Sequence, residues 1–461
     1  MAGATMSGTG ARRWPGYNAI WRWHFYAGLL CIPFVLWLAT TGSIYLFRPQ
    51  IEALIDRPYT HLAMTGPRAS AAEQAAAAVR AVPGSVLHRY QLPDAPDAAV
   101  QIVVGAGRDE TRVYVHPQTL AILKTVDEDQ RLMRLVFRLH GELLIGDAGS
   151  YMVELAASWA IVMILTGLFL WWPRGTGLGG VLYPRLGAGG RRFWRDLHGV
   201  TGFWVSFFAL FLLLSGLPWA KSWGGYLKAI RSVAEGHPVR QDWTTSHAQE
   251  LAARAAADAG TRAMAGEHAE HQGMAMAHPA VSYVPLDRLV AGVRPLRLAG
   301  PVLIAPPAGI GQPWTAKSDA ANRPLRTDLT LDGATGAVLT RTDFAQRRLI
   351  DRLVGYGVAV HEGQLFGWAN QLLGLLTAIG LILLSVSSVV LWWRRRPEGV
   401  LGAPVARARP ALAASFVALL VALGLFLPLF GASLIAVLLL DRFALPRLPR
   451  AQRWLGIRAT G

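Results

Sequence analysis

The chain has 461 residues, of which 52% are apolar types and only 16% are charged, against about 25% charged in an average soluble protein; with a mean hydropathy of +0.32 it is neither a purely soluble enzyme nor a disordered chain. Lys and Arg number 45 against 29 Asp and Glu, a net charge of +16, which in a membrane protein chiefly sets orientation and does not point to nucleic acid. The one cysteine, Cys31, excludes an intramolecular disulfide framework, a four-thiolate iron–sulfur cluster and C-x-x-C-H haem attachment.

A span needs about 20 apolar residues to cross about 30 Å of hydrocarbon. Residues 1–22, with Arg12, Arg13 and Arg22, form a cytoplasmic N-terminus, and 23–47 the first span. That run is long enough to cross and no A-x-A-type site follows it, so it reads as a retained helix, not a removed signal peptide. Residues 48–149 lie outside, with a helix expected over the Ala-rich 69–82 and strands over 86–90, 99–104 and 112–115. The second span is 150–172. The loop 173–197 carries Arg174, Arg185, Arg191, Arg192 and Arg195 and belongs in the cytoplasm. Span three, 198–219, leads to a second outside segment, 220–360, with strands expected over 302–305 and 328–331 and an insert at 241–280. Span four is 361–393. The loop 394–410 and the tail 442–461 are again Arg-rich. Between them 411–441 is apolar, long for one span and short for two, with Pro428 and Gly431 in its middle. A tail on the inside favours a hairpin there and six spans, with five as the alternative.

The chain repeats itself. Trp21-Arg22-Trp23-His24-x-x-x-Gly28 is echoed by Trp194-Arg195-x-x-His198-x-x-x-Gly202. His140-Gly141-Glu142-Leu143-Leu144-Ile145-Gly146 is echoed by His361-Glu362-Gly363-Gln364-Leu365-Phe366-Gly367. Leu170-Trp171-Trp172-Pro173-Arg174 is echoed by Leu391-Trp392-Trp393-Arg394-Arg395. The expected fold class is therefore a mainly α membrane protein: a transmembrane helical bundle from two parallel repeats, each a span, an outside α+β domain and a span, plus a C-terminal helical hairpin.

Of twelve histidines the repeat selects four. His24 and His198 start spans one and three on the cytoplasmic side; His140 and His361 lead into spans two and four on the outer side. Equivalent residues of a parallel duplication share a depth, so two pairs result, one towards each face. Imidazole pairs between facing helices suit b-type haem, held by axial ligands and packing alone, and two bis-His haems imply electron transfer across the membrane. Glycines beside the histidines (Gly28, Gly202, Gly141, Gly363) would let a flat macrocycle approach the backbone. Arg22, Arg195, Arg138 and Arg352 are candidates for propionate contacts, although basic flanks also serve topology alone. No G-x-G-x-x-G after a strand and no P-loop is found, so electrons would come from a membrane quinol or a cytoplasmic donor.

These motifs resemble the PepSY-associated transmembrane helix family over about residues 15–440. The four histidine motifs, the Leu-Trp-Trp-basic exits, and the segments Val113-Tyr114-Val115-His116-Pro117-Gln118-Thr119 and Leu329-Thr330-Leu331-Asp332-Gly333-Ala334-Thr335-Gly336 carry the likeness, the last two resembling the end of a PepSY module. The resemblance implies PepSY-like outside domains and a bacterial inner-membrane location with periplasmic loops. It also implies two b haems on His24, His140, His198 and His361, and reduction of a periplasmic ferric siderophore with release of Fe(II). His116 stands where such modules often show Asp. Alternatives from other classes are a haem-free PepSY scaffold or regulator and a copper-handling reductase.

Copper enters through the insert, where His268, His271, Met274, Met276 and His278 offer imidazole and thioether ligands suited to Cu(I). The same composition suits a flexible Ala/Gly/His-rich loop. His61, His88, His116 and His237 are expected at the surface, and Cys31 as a small apolar filler in span one.

Overall fold

Tyr17 to Leu46 form one unbroken helix, the first of five in the computed structural model that are long and apolar enough to cross a membrane; the others are Asp147–Trp171, Gly190–Trp219, Gly367–Trp393 and Pro428–Arg447. The structure describes residues 15–106, 109–173, 177–236, 283–307, 312–405 and 413–457. In chain order the helices are α1 (Tyr17–Leu46), α2 (Arg48–Asp56), α3 (Ala71–Ala81), α4 (Leu132–Glu142), α5 (Asp147–Trp171), α6 (Gly190–Gly216), α7 (Lys221–Glu235), α8 (Pro285–Val293), α9 (Leu349–His361), α10 (Gly367–Trp393), α11 (Ala414–Phe426), α12 (Pro428–Leu439) and α13 (Pro449–Leu455). The strands are β1 (Val86–Leu92), β2 (Val100–Ala106), β3 (Asp109–Val115), β4 (Ile122–Asp127), β5 (Val302–Ala305), β6 (Trp314–Ser318), β7 (Thr327–Leu331) and β8 (Val338–Asp343). The chain divides into a helical unit, drawn from Met1–Ser43, Leu139–Ala234 and Leu373–Gly461, and a sheet-bearing unit, drawn from Ile44–Arg138 and Glu235–Leu372.

In the helical unit small residues set how closely the spans pack. Cys31 of α1 is fully buried, its Sγ 3.7 Å from the Ala156 carbonyl of α5, as expected of a small filler. Gly380 of α10 lies so close to α6 that a Cβ would fall 2.4 Å from Val205 Cγ1. Trp171 of α5 stacks on Phe203 of α6 at 4.1 Å. Large apolar side chains point outward, with Phe207 85% and Trp204 64% exposed; such a surface needs lipid against it, because in water it would be an aggregation site. The stretch after 411 does turn at Pro428. There α11 and α12 meet through glycines, and a Cβ on Gly431 would stand 2.9 Å from the Gly424 carbonyl oxygen. The described part of α11 has only 13 residues, about 20 Å at 1.5 Å per residue, too short to span. Among the described residues there are thus five span-length helices and one shorter apolar helix, where six spans were favoured. Ile161, Leu217, Leu427 and Phe430 form a buried cluster beside it, and the Trp159 indole N–H donates to Ser433 Oγ at 3.0 Å.

The spans also begin at other residues than the hydropathy predicts. Span three starts at Gly190, before His198. Span four starts at Gly367, after His361. His140 and His361 occupy the last turns of the separate short helices α4 and α9. Left-handed residues break the chain after each: Leu143, Leu144 and Gly146 in one case, Gly363 and Gly367 in the other. Span four reads continuously through its turn in the sequence because positive φ leaves no trace in hydropathy.

The sheet-bearing unit holds one eight-stranded antiparallel sheet in the order β4-β3-β2-β1-β5-β6-β7-β8. Each of the two long segments between spans supplies a four-stranded meander, and β1 joins β5 with Tyr90 opposite Ile304 and Leu92 opposite Val302. The two expected α+β segments therefore share a sheet. Its buried cluster combines Ala75 and Ala78 of α3 and Leu286, Leu289 and Val293 of α8 with Ile102, Val113, Ile304 and Leu329 of the strands. Helix α3 starts at a Ser70/Glu73 capping box, and the Asp287 carboxylate accepts from Ala71 N at 2.6 Å. Strands β4, β6 and β8 were not anticipated. The first and last are edges, β8 almost wholly exposed, so no alternation of apolar residues marks them.

Candidate cofactor site

His24 lies on α1, about two turns from its start. Its Nδ1 is 3.1 Å from the Met163 carbonyl oxygen and 3.1 Å from Thr166 Oγ1, both on α5. A carbonyl oxygen only accepts, so Nδ1 carries the proton. The Thr166 hydroxyl spends its own proton on Val162 O or Met163 O, each at 2.9 Å, and it too accepts from the ring. The lone pair of His24 is therefore on Nε2.

His198 on α6 repeats this arrangement against α10. Its Nδ1 is 3.2 Å from the Leu384 carbonyl oxygen and 3.2 Å from Ser387 Oγ, and the Ser387 hydroxyl donates to Leu384 O at 3.0 Å. One sequence separation relates Met163 to Leu384, Thr166 to Ser387 and His140 to His361. The structure thus gives the two histidines expected as a pair the same anchoring, each on a neighbouring span.

His140, in the last turn of α4, has Nδ1 3.0 Å from Thr41 Oγ1 of α1. The Thr41 hydroxyl also lies 2.8 Å from Trp37 O, so it ties the His140 ring to α1. His361 closes α9 in the sheet-bearing unit. Around it Glu362 faces Arg323 at 4.0 Å, Asn370 Nδ2 donates to Val360 O at 2.9 Å and Gln371 Nε2 to Leu46 O at 2.9 Å.

The glycines under these rings are not those adjacent in sequence. A Cβ on Gly167 would stand 3.1 Å from His24 Cε1, and one on Gly42 would stand 3.2 Å from His140 Cε1. Gly28 and Gly202 instead face Met163 and Leu384 on the helices that anchor the rings, at 3.9 and 3.4 Å, nothing lies within 4 Å of a Cβ on Gly141, and Gly363 serves the left-handed turn. Among the expected propionate partners, Arg22 ties α1 to the C-terminal segment through Pro404 O and, at 3.1 Å, Gly456 O. Arg195 pairs with its neighbour Asp196 at 3.1 Å. Arg352 donates to Ala345 O at 3.3 Å on α9, and Arg138 lies on α4.

Sequence reasoning missed the hydroxyls Thr41, Thr166 and Ser387. It also missed Glu154, a buried carboxylate of α5 that accepts from Ser222 N and Trp223 N at 2.8 and 3.1 Å and so caps α7. The signal for Thr166 and Ser387 was present: each is the hydroxyl residue at the same distance before the Trp-Trp exit of its half.

The remaining histidines divide. His61 is at the surface and pairs with Asp97 at 2.9 Å. His88, expected at the surface, is 2% exposed: its ring packs on Gly105 of the neighbouring strand and its Nδ1 bonds Glu110 Oε1 at 2.7 Å. A strand residue facing a glycine has room to turn inward, which composition does not reveal. His116 Nδ1 accepts from Gln118 N and Thr119 N at 3.2 Å, the turn-capping part that Asp332 Oδ1 plays toward Ala334 N at 2.8 Å. His237 and the proposed copper ligands His268, His271, Met274, Met276 and His278 lie outside the described residues. Among the described residues no three His, Cys, Asp or Glu converge as a metal site.

Span-length helices, outward apolar side chains and intramembrane imidazoles anchored between helices define a multi-pass membrane protein. The chain belongs to the family of the PepSY-associated TM region, whose model matches residues 21–395, a stretch that includes His24, His140, His198 and His361. No curated protein matches it.

Proposed function

We propose that this protein is an inner-membrane dihaem b oxidoreductase that passes electrons outward to a periplasmic ferric siderophore. The observation that carries the reading is the matched anchoring of His24 and His198: each ring has Nδ1 engaged by a neighbouring span and its Nε2 lone pair left for iron. A ligating imidazole characteristically donates its other N–H to a carbonyl, which fixes the tautomer and strengthens the ligand. The donor set fits a b-type haem, which His24 and His198 would hold through neutral imidazole nitrogens. It does not fit a polydentate metal site, which needs three or more ligands.

In this reading His24 and His198 hold the inner haem, and the sequence assigns the outer one to His140 and His361. When bound, the haems supply one-electron carriers at two depths. The apolar spans would keep water from these histidines, and a haem held by two imidazoles would suit electron transfer better than O2 chemistry. A membrane quinol or a cytoplasmic protein would supply the electrons. The substrate takes one electron, Fe(III) becomes Fe(II), and hard oxygen donors release it.

The test is a reduced-minus-oxidised spectrum of protein purified from haem-replete cells, followed by anaerobic mixing of the reduced protein with a ferric hydroxamate or catecholate and trapping of Fe(II). Low-spin b-type bands at two haems per chain, reoxidised by the chelate, are expected. A colourless preparation would favour the haem-free scaffold instead.

A further inference from the structure

We infer that Thr166 and Ser387 are positioning residues that fix the Nδ1–H tautomer of His24 and His198 and hold the iron between those rings at a lower potential than carbonyl anchoring alone would give. The inference rests on the haem reading above and assigns a part to two side chains that the reading does not use.

Each ring donates to an oxygen pair of the same make: a backbone carbonyl and, three residues further along the same helix, a hydroxyl. The carbonyl belongs to a helix and already has its own backbone amide to serve. The hydroxyl is therefore the added acceptor. Its single proton is turned back onto its own helix, toward Val162 O or Met163 O for Thr166 and Leu384 O for Ser387, so it cannot present a donor to the ring. That orientation favours a protonated Nδ1 and disfavours the opposite tautomer, which would point a lone pair at two oxygens.

A second acceptor pulls the Nδ1 proton away from the ring and enriches Nε2 in electron density. A richer donor stabilises Fe(III) over Fe(II) and lowers the potential. The spans are apolar, and the effect of a hydrogen bond grows as the local dielectric falls. Hydroxyls in membrane helices commonly bond their own carbonyls with no further consequence. What sets these two apart is that both also receive an imidazole, at matching positions of both halves.

The experiment uses full-length protein in nanodiscs, with haem content and a spectroelectrochemical titration read together. Thr166→Val and Ser387→Ala remove the acceptor; Thr166→Ser and Ser387→Thr keep it. With haem at two per chain, the first pair should move one of the two couples positive, by about tenfold in its reduction equilibrium or about 59 mV for one electron, and the conservative pair should restore it. Loss of one haem in Thr166→Val with its return in Thr166→Ser also supports a positioning role, because those variants differ in size by only one carbon and in the hydroxyl. Unchanged potentials at full haem content in both removal variants would overturn the inference while leaving the haem reading intact. A wild type without haem would sink the haem reading instead. The tautomer is then still readable from 15N-histidine resonances of the haem-free protein: an Nδ1–H signal lost in the Thr166→Val/Ser387→Ala double variant supports the positioning role, and one unchanged by it removes that role.

Discussion

His24 lies under Gly167, where a Cβ would stand 3.1 Å from its Cε1. That gap is tighter than ordinary carbon contact, so the ring must shift if the glycine acquires a side chain. Gly167→Val adds two methyls beyond the Cβ and should displace the imidazole. On the dihaem proposal, the expected outcome is loss of about half the haem absorbance, with the remaining spectrum that of one low-spin centre. Gly28→Ala, whose Cβ would have its nearest neighbour at 3.9 Å, should keep both haems.

The pairing of ligands makes a separate forecast. His24→Ala and His198→Ala should each remove the same haem, and His140→Ala and His361→Ala the other, so that each single variant binds one. Haem quantified per chain by the pyridine method decides it. Two haems retained in any of the four would break the pairing.

Asp196 stands two residues before His198, its carboxylate buried and held by Arg185 at 2.6 and 2.9 Å and by Arg195 at 3.1 Å. These bonds fix the loop before α6 to the first turns of that helix. Asp196→Ala should lower stability by about 2 kcal/mol, the scale of charge-assisted bonds lost by one partner, read as a lower midpoint in denaturant. An unchanged midpoint would mean that the α6 start is held by other contacts.

In the sheet-bearing unit Glu128 is largely buried. Burial alone would raise its carboxyl, but Arg112 and Arg131 hold it below the ordinary value near 4.5. A depressed value means that ionised Glu128 stabilises the fold. The contribution is full above the unfolded value and fades as pH falls through the folded one. Acid lability of the sheet between about pH 4.5 and lower values should thus be weaker in Glu128→Gln, which at neutral pH should cost about 3 kcal/mol. Amide exchange on β3 and β4 across that range provides the measurement.

Sequence alone determined the membrane class, four of the spans and the histidines worth watching, because each depends on properties that add along a chain: a run of apolar residues, or a motif met twice. It also gave α3 nearly to the residue, since an Ala-rich run favours helix without help from tertiary contacts. Only the tertiary structure decided the rest. The edge strands β4 and β8 exist because a neighbour offers a ladder of backbone groups, not because their side chains alternate. The breaks that leave His140 and His361 on helices of their own come from positive φ at leucines as well as glycines. The oxygens that choose a tautomer for His24 and His198 arrive from helices far away in sequence. A ring nitrogen's chemistry depends on what stands about 3 Å from it, and that distance is set by how helices pack.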